Sequence, residues 1–125
     1  MSREVKYLED KDIVVARTSG SYELEAEIDT LKDVIAKLSE HNCKRCIFDH
    51  RETTVIAKTM GSFNRPGLYN DLGLGRSVSM AIVLRELNDD LKFYENVCVN
   101  RGWKVHIFDD YDAALDWLAP QSAGI

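Results

Sequence analysis

The sequence has no long apolar run, no even set of cysteines, no phosphate-binding glycine loop and no excess of positive charge. No stretch approaches the roughly 20 apolar residues of a membrane span, so none is expected. The opening residues, Met1-Ser2-Arg3-Glu4-Val5-Lys6, lack the apolar centre of a signal peptide. Three cysteines do not make a disulfide framework and fit a reducing compartment, so the expected location is cytoplasmic. No Gly-x-Ser-x-Gly elbow marks a hydrolase, and Gly73-Leu74-Gly75 follows no strand and opens no clear helix. A formal net charge of −5 argues against a nucleic-acid partner, which would want a basic face.

What is present describes one globular domain. A chain of 125 residues, 45% hydrophobic and 30% charged, buries enough surface to fold without staples. The charge is uneven. Residues 1–42 hold 6 basic and 10 acidic groups, residues 43–108 hold 10 and 7, and residues 109–125 hold 0 and 4. The middle of the chain is therefore mildly basic and suited to an anion.

Glu4 to Leu8 alternates polar and apolar, as a half-buried strand does. Glu9-Asp10-Lys11-Asp12 is a polar turn, and Ile13-Val14-Val15-Ala16 is a β-branched run that suits a buried second strand. Thr18-Ser19-Gly20-Ser21 breaks the pattern. From Tyr22 to His41, Leu24, Ile28, Leu31, Ile35 and Leu38 form a helical stripe, capped by Ser21 or Ser19. Asp33 and Lys37 are spaced to pair on it, its acidic face reads as solvated, and Asn42 is a stop.

Arg45 to Asp49 reads as a short central strand that ends abruptly in charge. Thr53 or Thr54 can cap a helix that turns Ile56, Met60 and Phe63 inward. Pro66 fits the first turn of a second short helix carrying Leu68, Tyr69 and Leu72. Val78 to Leu84 is an apolar strand closed by Arg85-Glu86, and Asn88 caps a helix with Leu91, Tyr94, Val97 and Cys98 inward. Trp103 to Phe108 suits an edge strand, and Asp109 or Asp110 caps a last helix that Pro120 ends. Residues 121–125 read as a frayed tail. The fold class is α/β. It is a mainly parallel sheet of five strands, opened by an antiparallel hairpin and covered by about four helices.

In such a sheet, ligands gather beyond the carboxyl ends of the strands, which singles out Asp49, His50 and Arg51. His50 is the best single acid–base candidate. His41, Cys43 and Cys46 offer three zinc ligands with no fourth nearby, and the Cys43–Cys46 pair does not open a helix, so no metal or cofactor is expected. Asp49 at a strand end also compares with the phosphoaccepting aspartate of a receiver domain, whose acidic pair would here fall in the hairpin turn.

The element order resembles the STAS fold, the sulfate-transporter and anti-sigma-factor-antagonist domain. The later segments are more specific: Leu91 to Val97 with its aromatic pair, the Asn100-Arg101-Gly102 turn, the strand ending at Phe108, and Ala114-Leu115-Asp116-Trp117-Leu118. These look like the SpoIIAA-like family over residues 4–118. The resemblance implies a regulatory module. Anti-sigma-factor antagonists are switched by phosphorylation of a Ser in an Asp-Ser-Ser-Gly-like turn after the central strand. Here Asp49 matches, the Ser-Ser-Gly is missing, and Thr53 or Thr54 would be the substitute hydroxyl. The related CRAL-TRIO fold implies an apolar ligand, which Met60, Phe63, Leu68 and Tyr69 would line.

The leading expectation is a non-enzymatic STAS-like binding module. It would act through the loop Asp49–Asn64 with Arg85, on a protein partner or on a small apolar or anionic ligand. Arg51 and Arg85 would supply charge to an anion or a partner carboxylate. One alternative is a small enzyme using His50 with Asp49 or Glu52. Another is an oligomerisation module, a homodimer formed through the last strand or through the helices bearing Phe93, Tyr94 and Trp117.

Overall fold

The computed structural model describes residues 1–54, 56 and 65–119. Its strands are β1 (Ser2–Leu8), β2 (Ile13–Ser21), β3 (Arg45–Thr54), β4 (Ser79–Val83) and β5 (Lys104–Phe108). Its helices are α1 (Leu24–Glu40), α2 (Arg65–Leu72), α3 (Asp89–Asn100) and α4 (Tyr111–Leu118). The sheet order is β1-β2-β3-β4-β5, with β1 antiparallel to β2 and every other pair parallel. The Arg45–Asp49 run is thus in the central strand, as its apolar character implies. Met60 and Phe63 lie outside the described residues, as does the 121–125 tail.

Both faces of the sheet are covered, which is why β2, β3 and β4 read as continuous apolar runs. Val14, Ala16, Cys46, Phe48, Met80 and Ile82 face one core together with residues of α1, α2 and α3. Ile13, Val15, Ile47, Ala81 and Val83 face a smaller core closed by Ala114 and Leu118 of α4. The hairpin turn is pinned by the Tyr7 hydroxyl, which donates to Asp12 Oδ1 at 2.8 Å. Asp12 itself sits at a positive φ of 55°.

Helix ends follow side-chain chemistry in two places. Asn88 Oδ1 accepts from Leu91 N at 2.9 Å, and Asp110 Oδ1 accepts from Asp112 N at 3.0 Å. At α1 the expected serine cap is absent: Glu23 occupies the position and makes no side-chain cap bond. Asp33 pairs with Arg3 of β1 at 2.7 Å rather than with Lys37, which meets Glu40.

Two differences from the sequence expectation matter. First, β2 and β3 both run on past their apolar segments. Ser19, Gly20 and Ser21 pair with Glu52, Thr53 and Thr54. The polar stretches that look like breakers satisfy each other's backbone groups, so Thr53 and Thr54 are strand residues, not helix caps. Second, α1 is rotated about its axis. Its buried residues are Glu27, Thr30, Leu31, Val34 and Leu38, while Leu24 is 45% exposed.

The rotation yields a stability test. Val34→Ala removes buried methyl groups and should cost about 2 kcal/mol, whereas Leu24→Ser should change stability by no more than about 0.5 kcal/mol. Urea unfolding of the two variants checks this; equal losses would restore the stripe through Leu24.

Candidate functional site at the carboxyl end of the central strand

β3 sends successive side chains to opposite faces, and this sorts its charged end. Asp49 follows Ile47 toward α4, while His50 follows Phe48 toward α1 and α2. Beyond Asp49 the register shifts: Arg17 pairs with Asp49, but Ser19 pairs with Glu52. The extra residue in β3 is a bulge, which re-aims side chains. It brings both His50 and Thr53 to Thr18 on β2. Thr18 Oγ1 lies 2.6 Å from His50 Nδ1 and also bonds Thr53 Oγ1.

This inner face holds a buried polar cluster. Arg65, the first residue of α2, points its guanidinium at Glu27 of α1, with Nε to Oε2 at 2.8 Å and a second N–H to Oε1 at 2.9 Å. Both side chains are buried, at 1% and 8% exposure. The Tyr22 hydroxyl donates to the same Glu27 carboxylate, and its ring lies beside the guanidinium. Tyr69 is likewise buried and hydrogen-bonds the Tyr94 hydroxyl at 2.9 Å. Among the described residues, a small space of about 10 Å³ remains between Glu27, Thr30, His50, Arg65, Tyr69 and Ile82. That is room for about one water.

Burial drives the His50 imidazole down to about 4, with Arg65 adding to the effect and Glu27 opposing it. Burial also acts against the Arg65 charge, but the Glu27 hydrogen bonds outweigh it and hold the guanidinium firmly charged. Tyr69 and Tyr94 are raised by burial and stay neutral.

The outer face is different. The Asp49 carboxylate is 2% exposed, yet it anchors two side chains that reach solvent. Arg51 binds it through Nε and a terminal N–H, both at 2.9 Å, and Arg51 N donates at 3.2 Å. Arg17 Nε donates to Oδ2 at 3.2 Å. The guanidinium carbons of Arg17 and Arg51 lie 5.9 and 5.4 Å from the centre of the Tyr111 ring. Burial pushes the Asp49 carboxyl up, but the Arg51 bonds and then the charge of Arg17 hold it below its ordinary value. Further along the rim, Arg85 meets Glu52 at 3.2 Å, both side chains exposed.

Several sequence-based site expectations need correcting. Asp49 and His50 are not at an open rim; they are buried on opposite sides of the sheet, and only Arg51 emerges. His50 is joined to Thr18, Asp49 to two arginines and Glu52 to Arg85, so the suggested acid–base pair is not assembled. Thr53 is buried and bonded; Thr54 is exposed. Tyr69 belongs to the core. His41 stacks on Tyr7 at 3.8 Å, while the Cys43 thiol donates to backbone carbonyls. Among the described residues no group of His, Cys, Asp and Glu is placed to hold a metal ion, and no helix is long and apolar enough to cross a membrane.

Arg17, Thr18, Glu27, Arg65 and Tyr111 were not singled out by the sequence. A signal for Glu27 does exist. A stripe through Thr30, Leu31, Val34 and Leu38 places Glu27 inward, and an inward carboxylate demands a buried cation.

No known sequence family and no curated protein matches the chain. Among solved structures, an anti-sigma factor antagonist from Mycobacterium paratuberculosis is similar over 94% of this chain and 92% of its own, with a TM-score of 0.59 and 14% identity. The likeness establishes the fold: this is the STAS-type sheet of anti-sigma-factor antagonists.

Two outcomes test the inner cluster. Glu27→Gln leaves a buried cation without its counter-charge and should cost about 3–5 kcal/mol, whereas Glu27→Leu with Arg65→Met should lose far less than the two single changes summed. A double-mutant cycle by urea unfolding measures this, and simple additivity would refute the pair. The depressed His50 value has its own signature. Native His50 takes up its proton near pH 4 and unfolded His50 near 6.5, so its contribution is full above pH 6.5 and is lost as pH falls to 4. The loss should be about 3 kcal/mol, seen as the difference between wild-type and His50→Asn stability profiles. Parallel profiles would mean that His50 faces water.

Proposed function

We propose that this STAS-fold domain is a non-catalytic regulatory module that docks on a partner protein through the rim at the carboxyl ends of β2, β3 and β4. The observation that carries the proposal is the anchoring of Arg17 and Arg51 on one buried carboxylate, side by side against Tyr111. Two guanidiniums on one carboxylate leave one positive charge in excess. Their side chains are 56% and 37% exposed, and they are held in place before any partner arrives. Preorganised arginines favour planar, bidentate recognition of carboxylates. Arg85 extends the surface, because its exposed pair with Glu52 can open at little cost. Thr54 stands on the same rim with its side chain exposed.

The partner's chemistry follows from this surface: an acidic patch presenting one or more carboxylates. The solved structural relative is an anti-sigma factor antagonist, which agrees with a protein-binding role. The three cysteines are free and buried, a state that fits a reducing compartment, the cytoplasm.

The test combines Arg17→Ala with Arg85→Glu, which leaves Asp49 paired with Arg51 and the fold intact. Affinity capture with the wild-type domain as bait should yield a specific partner, and the variant should bind that partner about tenfold or more weakly at unchanged melting temperature. Raising the salt should narrow the difference. Equal binding by the variant, or no partner held by the wild-type domain, would contradict the proposal.

A further inference from the structure

The segment that forms α3, β5 and α4 carries charge of the opposite sign. Residues 86–118 hold 8 acidic and 3 basic groups, while residues 1–85 hold 13 of each, so this segment carries all of the net charge of −5. Glu86, Asp89, Asp90, Asp109, Asp110, Asp112 and Asp116 are all exposed. β5 is an edge strand of the sheet. Phe108 O accepts from Leu84 N at 2.9 Å, so Phe108 turns its carbonyl inward. Ile107 N instead donates outward, to Glu95 Oε1 of α3 at 2.6 Å. By strand alternation, the N–H and C=O of Val105 and the C=O of Ile107 lie on that same outer side.

On each side of this edge there is a place for a side chain. Toward α3, a groove of about 390 Å³ is lined by Leu87, Leu91, Lys92, Glu95, His106 and Ile107. Leu87 in it is 49% exposed. Toward α4, His106, Phe108 and Trp117 form a ring cluster with centroids 4.4–5.9 Å apart, and Trp117 is 40% exposed.

We propose that this flank binds an extended basic segment of a partner protein, which adds to β5 as a sixth strand. Strand addition draws affinity from main-chain bonds and specificity from pockets for alternate side chains. The groove at Leu87 and Leu91 takes one set of side chains. The rings at Phe108 and Trp117 take the other, including a guanidinium over the indole. In the free protein Glu95 Oε1 accepts from Ile107 N and lies 3.2 Å from His106 Nδ1. An incoming strand takes over that bond and leaves the Glu95 carboxylate to meet its cation. Charge disfavours a second copy paired through the same edge, because β5 against β5 would bring two acidic segments together. The β5 edge is separated by β4 from Arg17 on β2 and Arg51 on β3, and it takes the opposite kind of partner.

The probe is a capped peptide of about eight residues alternating arginine and valine, titrated into the full chain and followed by fluorescence anisotropy and amide NMR shifts. Two controls share its length: a glutamate–valine peptide, and the arginine–valine peptide with alternate backbone amides methylated. The expected result is binding about tenfold or more tighter than either control, with shifts confined to residues 87–95, 104–108 and 117. Trp117→Ala should weaken it about tenfold, and Asp112→Asn with Asp116→Asn, which touches only exposed positions, should weaken it in a salt-dependent way. Equal binding by the methylated peptide would reduce the effect to unspecific charge. Shifts centred on Arg17 and Arg51, no binding, or self-association through β5 would each overturn the proposal.

Discussion

A single geometric constraint organises the molecule: a strand in the middle of a sheet covered on both faces cannot leave a polar side chain unattended. Each polar residue at the end of β3 must be met by a partner from whichever layer it enters. Asp49 enters the α4 side and is met by Arg17 and Arg51; His50 enters the α1–α2 side and is met by Thr18. The bulge after Asp49 makes both answers compatible, because it brings Thr53 back to the inner face beside His50. On that side the rotation of α1, the placement of Arg65 at the start of α2 and the tyrosine pair form one connected solution to the same problem.

The two sides then differ in kind. Inside, charges neutralise each other in the core, and the cluster specifies how α1 and α2 dock on the sheet. Outside, the buried carboxylate is a fixed anchor and the charge it holds projects into solvent. A surface cation ordinarily gives up side-chain entropy to be fixed by a partner. Here Asp49 has already fixed two. The last segment is the complement of this arrangement, since a chain that is neutral up to residue 85 carries its whole negative excess in residues 86–118, which form α3, β5 and α4. One small domain thereby holds anchored arginines on β2 and β3 and carries its negative excess in the segment that forms α3, β5 and α4.

Much of this was legible from the residues. The apolar runs at 13–16, 45–49 and 78–84 mark strands buried on both faces, and the caps at Asn88 and Asp110 follow from residue type. The resemblance to the STAS fold agrees with the structural comparison. The site was legible only in part. Asp49 and Arg51 can be singled out as the charged end of a central strand. Their companion Arg17 cannot, because it lies 32 positions away and meets Asp49 only through strand register. Glu27 was hidden among Glu23 and Glu25, which do face solvent, and Leu24 made the wrong stripe look regular. The polar ends of β2 and β3 look like loops when each is taken alone. They become strands only because each supplies the other's hydrogen bonds, and local pattern carries no trace of that.

The most direct test of this account is the NMR titration of individual side chains in the folded protein. The alternation at the end of β3 predicts an imidazole at His50 that stays neutral until about pH 4 and a carboxyl at Asp49 that stays ionised below its ordinary value. A His50 that titrates near its ordinary value of 6.5, beside an Asp49 that titrates like a free aspartate, would place both in water and contradict it.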